Sequence, residues 1–207
     1  MSLSITRFFI FLFVFIVSAG SSFAYDGSYG TTIGQGTAFQ FNDVYKQMNK
    51  IEYSVKYNVK ENKSEIYFTN IGLVSTFVIF FDHDQRVKLL SYLDKFQDWK
   101  KKAIKDRVKL EKDIGTFNAG CLWEANNQWH LCDNSGDVSS SFFSQSKTEH
   151  QFVLQFPIYS GYLTDRPDTV YFSDSQAKAL KNMLSDGQVQ KAINKANKNK
   201  KVLDEFK

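Results

Sequence analysis

The junction inside residues 73–104 restricts the fold more than any other stretch. A run of β-branched and aromatic side chains, Val74 to Phe81, gives way at Asp82 to the spacing of an amphipathic helix. The run suits a buried strand. Beyond it, Leu89, Leu93, Phe96 and Ala103, flanked by Leu90, Tyr92 and Trp99, keep to one side, and Lys88, Lys95, Gln97, Lys101 and Lys102 take the other. A chain built on this junction lays a long helix, 82–107, across a sheet. Asp82-His83-Asp84-Gln85 at the switch has two readings, a helix cap or the start of an acidic or metal-binding site.

Strand signals recur on both sides of that helix. Ile51, Tyr53, Val55, Tyr57 and Val59 alternate with polar residues, as in a half-buried antiparallel strand, and residues 65–69 supply its hairpin partner across the polar turn 60–63. Val108, Leu110, Ile114 and Phe117 return the chain to extended structure. Asn126-Asn127 marks a second hairpin tip, because Asn tolerates the left-handed conformations of a tight two-residue turn. Folding about that tip sets Glu124 opposite Trp129, Trp123 opposite His130, Leu122 opposite Leu131 and Cys121 opposite Cys132. Residues 151–156 and 169–172 read as further strands. Residues 174–184 read as a helix with a break near Gly187, followed by a thinner amphipathic helix rich in Lys and Asn. The class is α+β: an antiparallel sheet packed by one long helix, with C-terminal helices.

The N-terminus reads as an export signal. Arg7 precedes an apolar run from Phe8 to Val17, and small residues ending in Ser22-Phe23-Ala24 follow, so the expected mature chain begins near Tyr25; an uncleaved anchor is the competing reading. Residues 25–46 contain Gly27, Gly30, Gly34 and Gly36 among Ser, Thr and Gln without apolar periodicity, which reads as a flexible leader, with a short helical or irregular entry near 41–50. One α+β domain then spans 47–186, and 187–207 forms a Lys-rich helix or tail. The 207 residues, 43% hydrophobic and 16% aromatic, suffice for one sizeable core. The formal net charge of +4 falls by one when Arg7 is removed, too little to imply nucleic acid, and no second run reaches membrane-spanning length. Membrane contact is expected only through the signal peptide.

The two strand-to-helix transitions share a grammar. Phe81, Asp82, Gln85, Leu89 and Leu93 match Phe172, Ser173, Gln176, Leu180 and Leu184, and both fit a capping box. The echo drops His83, so helix initiation is the recurring feature and a pseudo-duplicated arrangement of strands leading into a helix is expected. His83, His130 and His150 lack any spacing that forces metal convergence, and no nucleophile elbow is present. Neither a metal nor a cofactor is expected. In an exported chain, Cys121 and Cys132 facing each other across a hairpin read as a structural disulfide. The same hairpin carries Trp123, Trp129 and His130, the expected ligand-binding residues, since tryptophan offers apolar area and a donor. The expectation is a periplasmic or secreted, non-enzymatic binding or envelope-associated module whose partner is a protein or envelope component. The alternative is a metal-dependent or thiol enzyme acting outside the cytoplasm.

Overall fold

A computed structural model describes residues 30–42, 45–71, 74–132, 136–156 and 169–205. The expected signal peptide, 1–24, lies outside them. Strands β1 (Gly30–Asn42), β2 (Gln47–Asn58), β3 (Lys63–Ile71) and β4 (Val74–Phe81) form an antiparallel meander that leads into helix α1 (His83–Asp106). Strands β5 (Leu110–Ala125), β7 (Gly136–Ser144), β8 (His150–Gln155) and β9 (Thr169–Ser173) form a second meander, leading into α2 (Asp174–Met183) and α3 (Asp186–Asp204). The short β6 (Gln128–Leu131) folds back on the end of β5. The chain is therefore α+β, as its pattern predicts.

Two pairings join the meanders. β4 pairs antiparallel with β5, and β1 pairs antiparallel with β9, so eight strands form a closed circuit with β6 as an appendage. The first pairing maps onto the second when one half is laid over the other. Topology thus extends the pseudo-duplication that the matched Phe-cap-Gln-Leu pattern suggests.

The expected alternation of β2 holds: Ile51, Tyr53, Val55 and Tyr57 are all buried. Ile51, Tyr53 and Val55 share one core with Ile66, Phe68, Phe77, Ile79, Phe81, Phe117, Phe142, Phe152 and Phe172, with Leu89, Leu93 and Phe96 of α1 and with Leu180 of α2, while Tyr57 packs with Val189 and Ala192 of α3. α1 and α2 run side by side in opposite directions. Arg86 Nη1 donates to Leu184 O at 2.7 Å, Lys181 pairs with Asp94, and Lys100 Nζ lies 2.7 Å from Asp174 Oδ2. Arg86 is 3% exposed, and Nη2 completes its pairing with Asp186 Oδ1 at 2.6 Å and His83 Nδ1 at 3.0 Å.

Four expectations are corrected. The flexible leader is strand β1 from Gly30 to Asn42, and the irregular entry near 41–50 is the β1–β2 hairpin. The helix break falls at Leu184-Ser185, so Gly187 lies inside α3. At α1, Asp82 Oδ1 accepts from Gln85 N at 3.0 Å, but Gln85 Oε1 accepts from Asn118 N of β5 instead of turning back to the cap; Gln176 of α2 does turn back, to Ser173 N at 2.8 Å.

Gly30, Gly34 and Gly36, which suggest a loop, are instead required by close approach. A Cβ at Gly36 would lie 2.6 Å from the ring of Tyr53, which is 2% exposed and packed on Phe68 and Phe172. Gly36→Ala is expected to lower stability by about 1–3 kcal/mol in urea unfolding, as overpacking of a fixed ring does. Gly187→Ala, with nothing within 4 Å of the added carbon, is expected to raise it by about 0.5–1 kcal/mol.

Candidate functional site

The cystine hairpin forms as the sequence predicts. Asn126 and Asn127 have φ of 53° and 60°, Trp123 pairs with His130 and Glu124 with Trp129, and Cys121 is bonded to Cys132. Both tryptophans are half-buried, and strand alternation puts them on opposite faces. Trp123 packs against the main core and stacks on His130, with ring centroids 4.1 Å apart. Trp129 packs outward over Tyr67, Val78 and Leu122. Of the three expected ligand-binding residues, the fold brings Trp123 and His130 together and separates Trp129 from them. With both cysteines oxidised, neither is a thiolate. Among the described residues no three His, Cys, Asp or Glu side chains converge as a metal site.

A different constellation lies at the far end of the paired helices. A cleft of about 430 Å³ opens between Lys100 of α1, the β7–β8 turn with Gln145, Thr148 and Glu149, His150 at the start of β8, and Ser173, Asp174 and Ser175 at the start of α2. Its volume is in the ~300–1,000 Å³ range of small-ligand sites. The turn is held by Ser146 Oγ, which accepts from Thr148 N and Glu149 N at 3.2 and 3.0 Å.

His150 is 4% exposed, and its ring lies parallel to Phe142 with centroids 5.9 Å apart. Nδ1 is 3.1 Å from Ser144 Oγ, while the Ser144 hydroxyl has two carbonyl acceptors in reach, Val108 O at 3.0 Å and Ser146 O at 3.3 Å. A hydroxyl has one proton to give and a carbonyl can only accept, so the network assigns the imidazole proton to Nδ1. Nε2 is then an acceptor, and it is buried without a partner. Burial, reinforced by the Lys100 charge, lowers the His150 pKa against the opposing pull of the Lys147 carbonyl and the Asp174 charge. For Asp174, burial alone would raise the pKa. Hydrogen bonds from Lys100, Lys178 and Gln97, with the Lys100 charge, instead hold it at about 2.

A second cavity, of about 340 Å³, lies over Gly36 and Tyr53, whose hydroxyl is buried without a partner and whose pKa is pushed by burial up to about 12. It holds no base beside a nucleophile and fewer fixed charges than the His150 cleft. Comparison with protein-family models, curated proteins and solved structures finds no match to this chain.

Sequence reasoning leaves His150 as an ordinary strand histidine and Asp174 as part of a helix start. Lys100, His150 and Asp174 lie on three separate elements, α1, β8 and α2, and no spacing rule connects them.

Two stability effects follow. The folded pKa of His150 is below its ordinary 6.5, so the native state binds fewer protons and stability falls as pH drops below about 6.5; His150→Phe is expected to flatten that part of the profile. The depressed Asp174 pKa contributes stability that is present above pH 3.8 and lost as pH falls towards 2. That contribution is at most about 2 kcal/mol, because the carboxylate is 28% exposed. Separately, reducing the cystine, which spans 11 residues, is expected to cost about 3 kcal/mol, read as a shift in the urea midpoint.

Proposed function

We propose that this chain is an exported, non-enzymatic binding module whose ligand seat is the cleft between Lys100, His150 and Asp174. Export is supported by the charged, apolar and small-residue order of residues 1–24 and by the cystine. No described helix is long and apolar enough to cross a membrane. The observation that carries the binding reading is a set of buried acceptors without partners on residues of the cleft lining, His150 Nε2, Gln151 Oε1 and Asp174 Oδ1. Buried polar atoms are nearly always satisfied, and an exception beside a cleft marks where an external group completes the set. A hydrolytic reading lacks its nucleophile: the hydroxyl next to His150 belongs to Ser144, itself buried and turned towards backbone carbonyls.

One observation favours a second contact surface for a protein or envelope component. Leu131, on the short strand β6, is 63% exposed, next to the outward patch of Trp129, Tyr67 and Val78. The two readings separate experimentally. Mature protein purified unreduced from the exported fraction is expected to begin near Tyr25 and to carry the cystine by mass spectrometry. In a crosslinking assay on that fraction, Leu131→Ser abolishes partner capture only if the hairpin is the contact. If ligand binding, followed by amide shifts at Thr148 and Ser175, survives His150→Phe unchanged, the cleft assignment is wrong.

A further inference from the structure

We infer that the cleft takes a small organic cation whose head group offers only N–H donors, an ammonium or a guanidinium, seated on His150 Nε2 and the acceptors beside it. The inference rests on the cleft being the ligand seat and adds the chemical class.

The unsatisfied atoms decide the class. His150 Nε2, Gln151 Oε1 and Asp174 Oδ1 are buried in the lining without a partner, and each is an acceptor. Nε2 accepts because the Ser144 network assigns the imidazole proton to Nδ1. Asp174 is an ionised carboxylate with Lys100 and Lys178 both on Oδ2, at 2.7 and 2.9 Å, so its other oxygen can only accept. Among the described residues, no buried side-chain donor of the lining lacks a partner. An anion would bring further acceptors to a wall that already has them in excess. Ammonium and guanidinium groups carry several N–H and no acceptor, which is the complement of this set.

Charge points the same way. The charged groups of the lining are Lys100 against Glu149 and Asp174, and the Lys100 ammonium is committed to Asp174 Oδ2. Lys178 lies outside the lining with its side chain 60% exposed, where solvent and salt screen it. The dipole of α2 would favour an anion at its start. That end is already served, since Gln176 Oε1 accepts from Ser173 N and Asp174 supplies negative charge in the first turn. A metal ion is the poorer fit, because no three His, Cys, Asp or Glu side chains of the described residues converge.

The test uses the full mature chain, with the His ring nitrogens and the Thr148 and Ser175 amides followed by NMR. Putrescine, agmatine and the blocked amides of lysine and arginine are added separately at millimolar concentration. Tetramethylammonium, glucose, inorganic phosphate and zinc serve as contrasts. The expected result is a saturable shift of His150 Nε2 with at least one of the four N–H cations and none with the contrasts. Saturation by putrescine or agmatine alone assigns the head group to a free amine, and saturation by the blocked amino acids alone assigns it to a side chain of a protein partner; both uphold the class. Lys100→Met removes the positive charge of the lining and is expected to tighten binding about threefold, while Glu149→Gln, on the exposed turn, weakens it about threefold, the scale of one screened charge contact. His150→Phe is expected to weaken it about tenfold, the equivalent of one hydrogen bond to a charged group. Weaker binding in Lys100→Met, or saturation by tetramethylammonium, which has charge but no N–H, overturns the inference. Saturation by glucose, phosphate or zinc overturns the class and leaves the cleft as a binding seat. Silence of all eight additions overturns both.

Discussion

The structure depends on closure of the sheet. A four-stranded meander has two open edges, each a row of unpaired amides and carbonyls that recruits other chains. Here the outer edges of two meanders meet twice, β4 on β5 and β1 on β9. The circuit leaves one face for a single core, and the apolar stripes of α1 and α2 bury against it. At the β4–β5 seam a Cβ at Gly120 would lie 2.2 Å from the Phe80 ring; where α1 comes closest to β5 a Cβ at Gly115 would lie within 3 Å of the Tyr92 ring, and Tyr92 Oη donates to Thr116 O at 2.6 Å across that gap. Closure fixes how far α1 can descend, and so fixes the distance between its end and β8.

What the sequence makes legible follows from which forces act locally. The β4–α1 junction, the alternation of β2, the Asn-Asn turn and the facing cysteines are set by neighbours in the chain, and the pattern of side chains carries them in full. Strand β1 is illegible because its spacing of glycines answers to Tyr53, Lys56 and Met183, residues remote in sequence. Strand β7 is hidden for a related reason. Its inward positions include Ser140 and Ser144, polar side chains that are buried because Gly115 O and Val108 O accept from them. An apolar-periodicity reading scores such positions as loop, and only the tertiary partner explains their burial. The cleft is the extreme case, since His150, Asp174 and Lys100 form no local pattern at all.

The cystine hairpin has a consistent place in this scheme. Its bond and its Trp123–His130 stack lie on the core side, where they fix the end of β5 against β4. Strand register then sends Trp129 and Leu131 outward, so one tight turn supplies both a strut and a small apolar face. Aromatic content that reads as a single recognition platform is divided by the two-residue period of the strand.

The pseudo-symmetry also accounts for why the cleft lies at α2 and not at α1. Each meander ends in Phe, a cap and a helix, and the first helical position is His83 in one half and Asp174 in the other. Because the helices are antiparallel, each start lies beside the other helix's far end. At the start of α1 that far end is the turn into α3, and the turn closes on it: Arg86 donates to Leu184 O and pairs with Asp186, whose pKa is lowered by the Arg86 hydrogen bond and charge. At the start of α2 the neighbour is the C-terminal part of α1 around Gln97 and Lys100, and that helix continues past it to Asp106. No turn of α1 is available there to seal the site, and the Lys100 and Gln97 side chains reach across to Asp174. A duplicated framework in which one helix is followed by a third, and the other by a strand, therefore plugs one of two equivalent positions and leaves its counterpart open. The asymmetry that creates the space also furnishes its walls, since the second half alone places a histidine on the strand beside it.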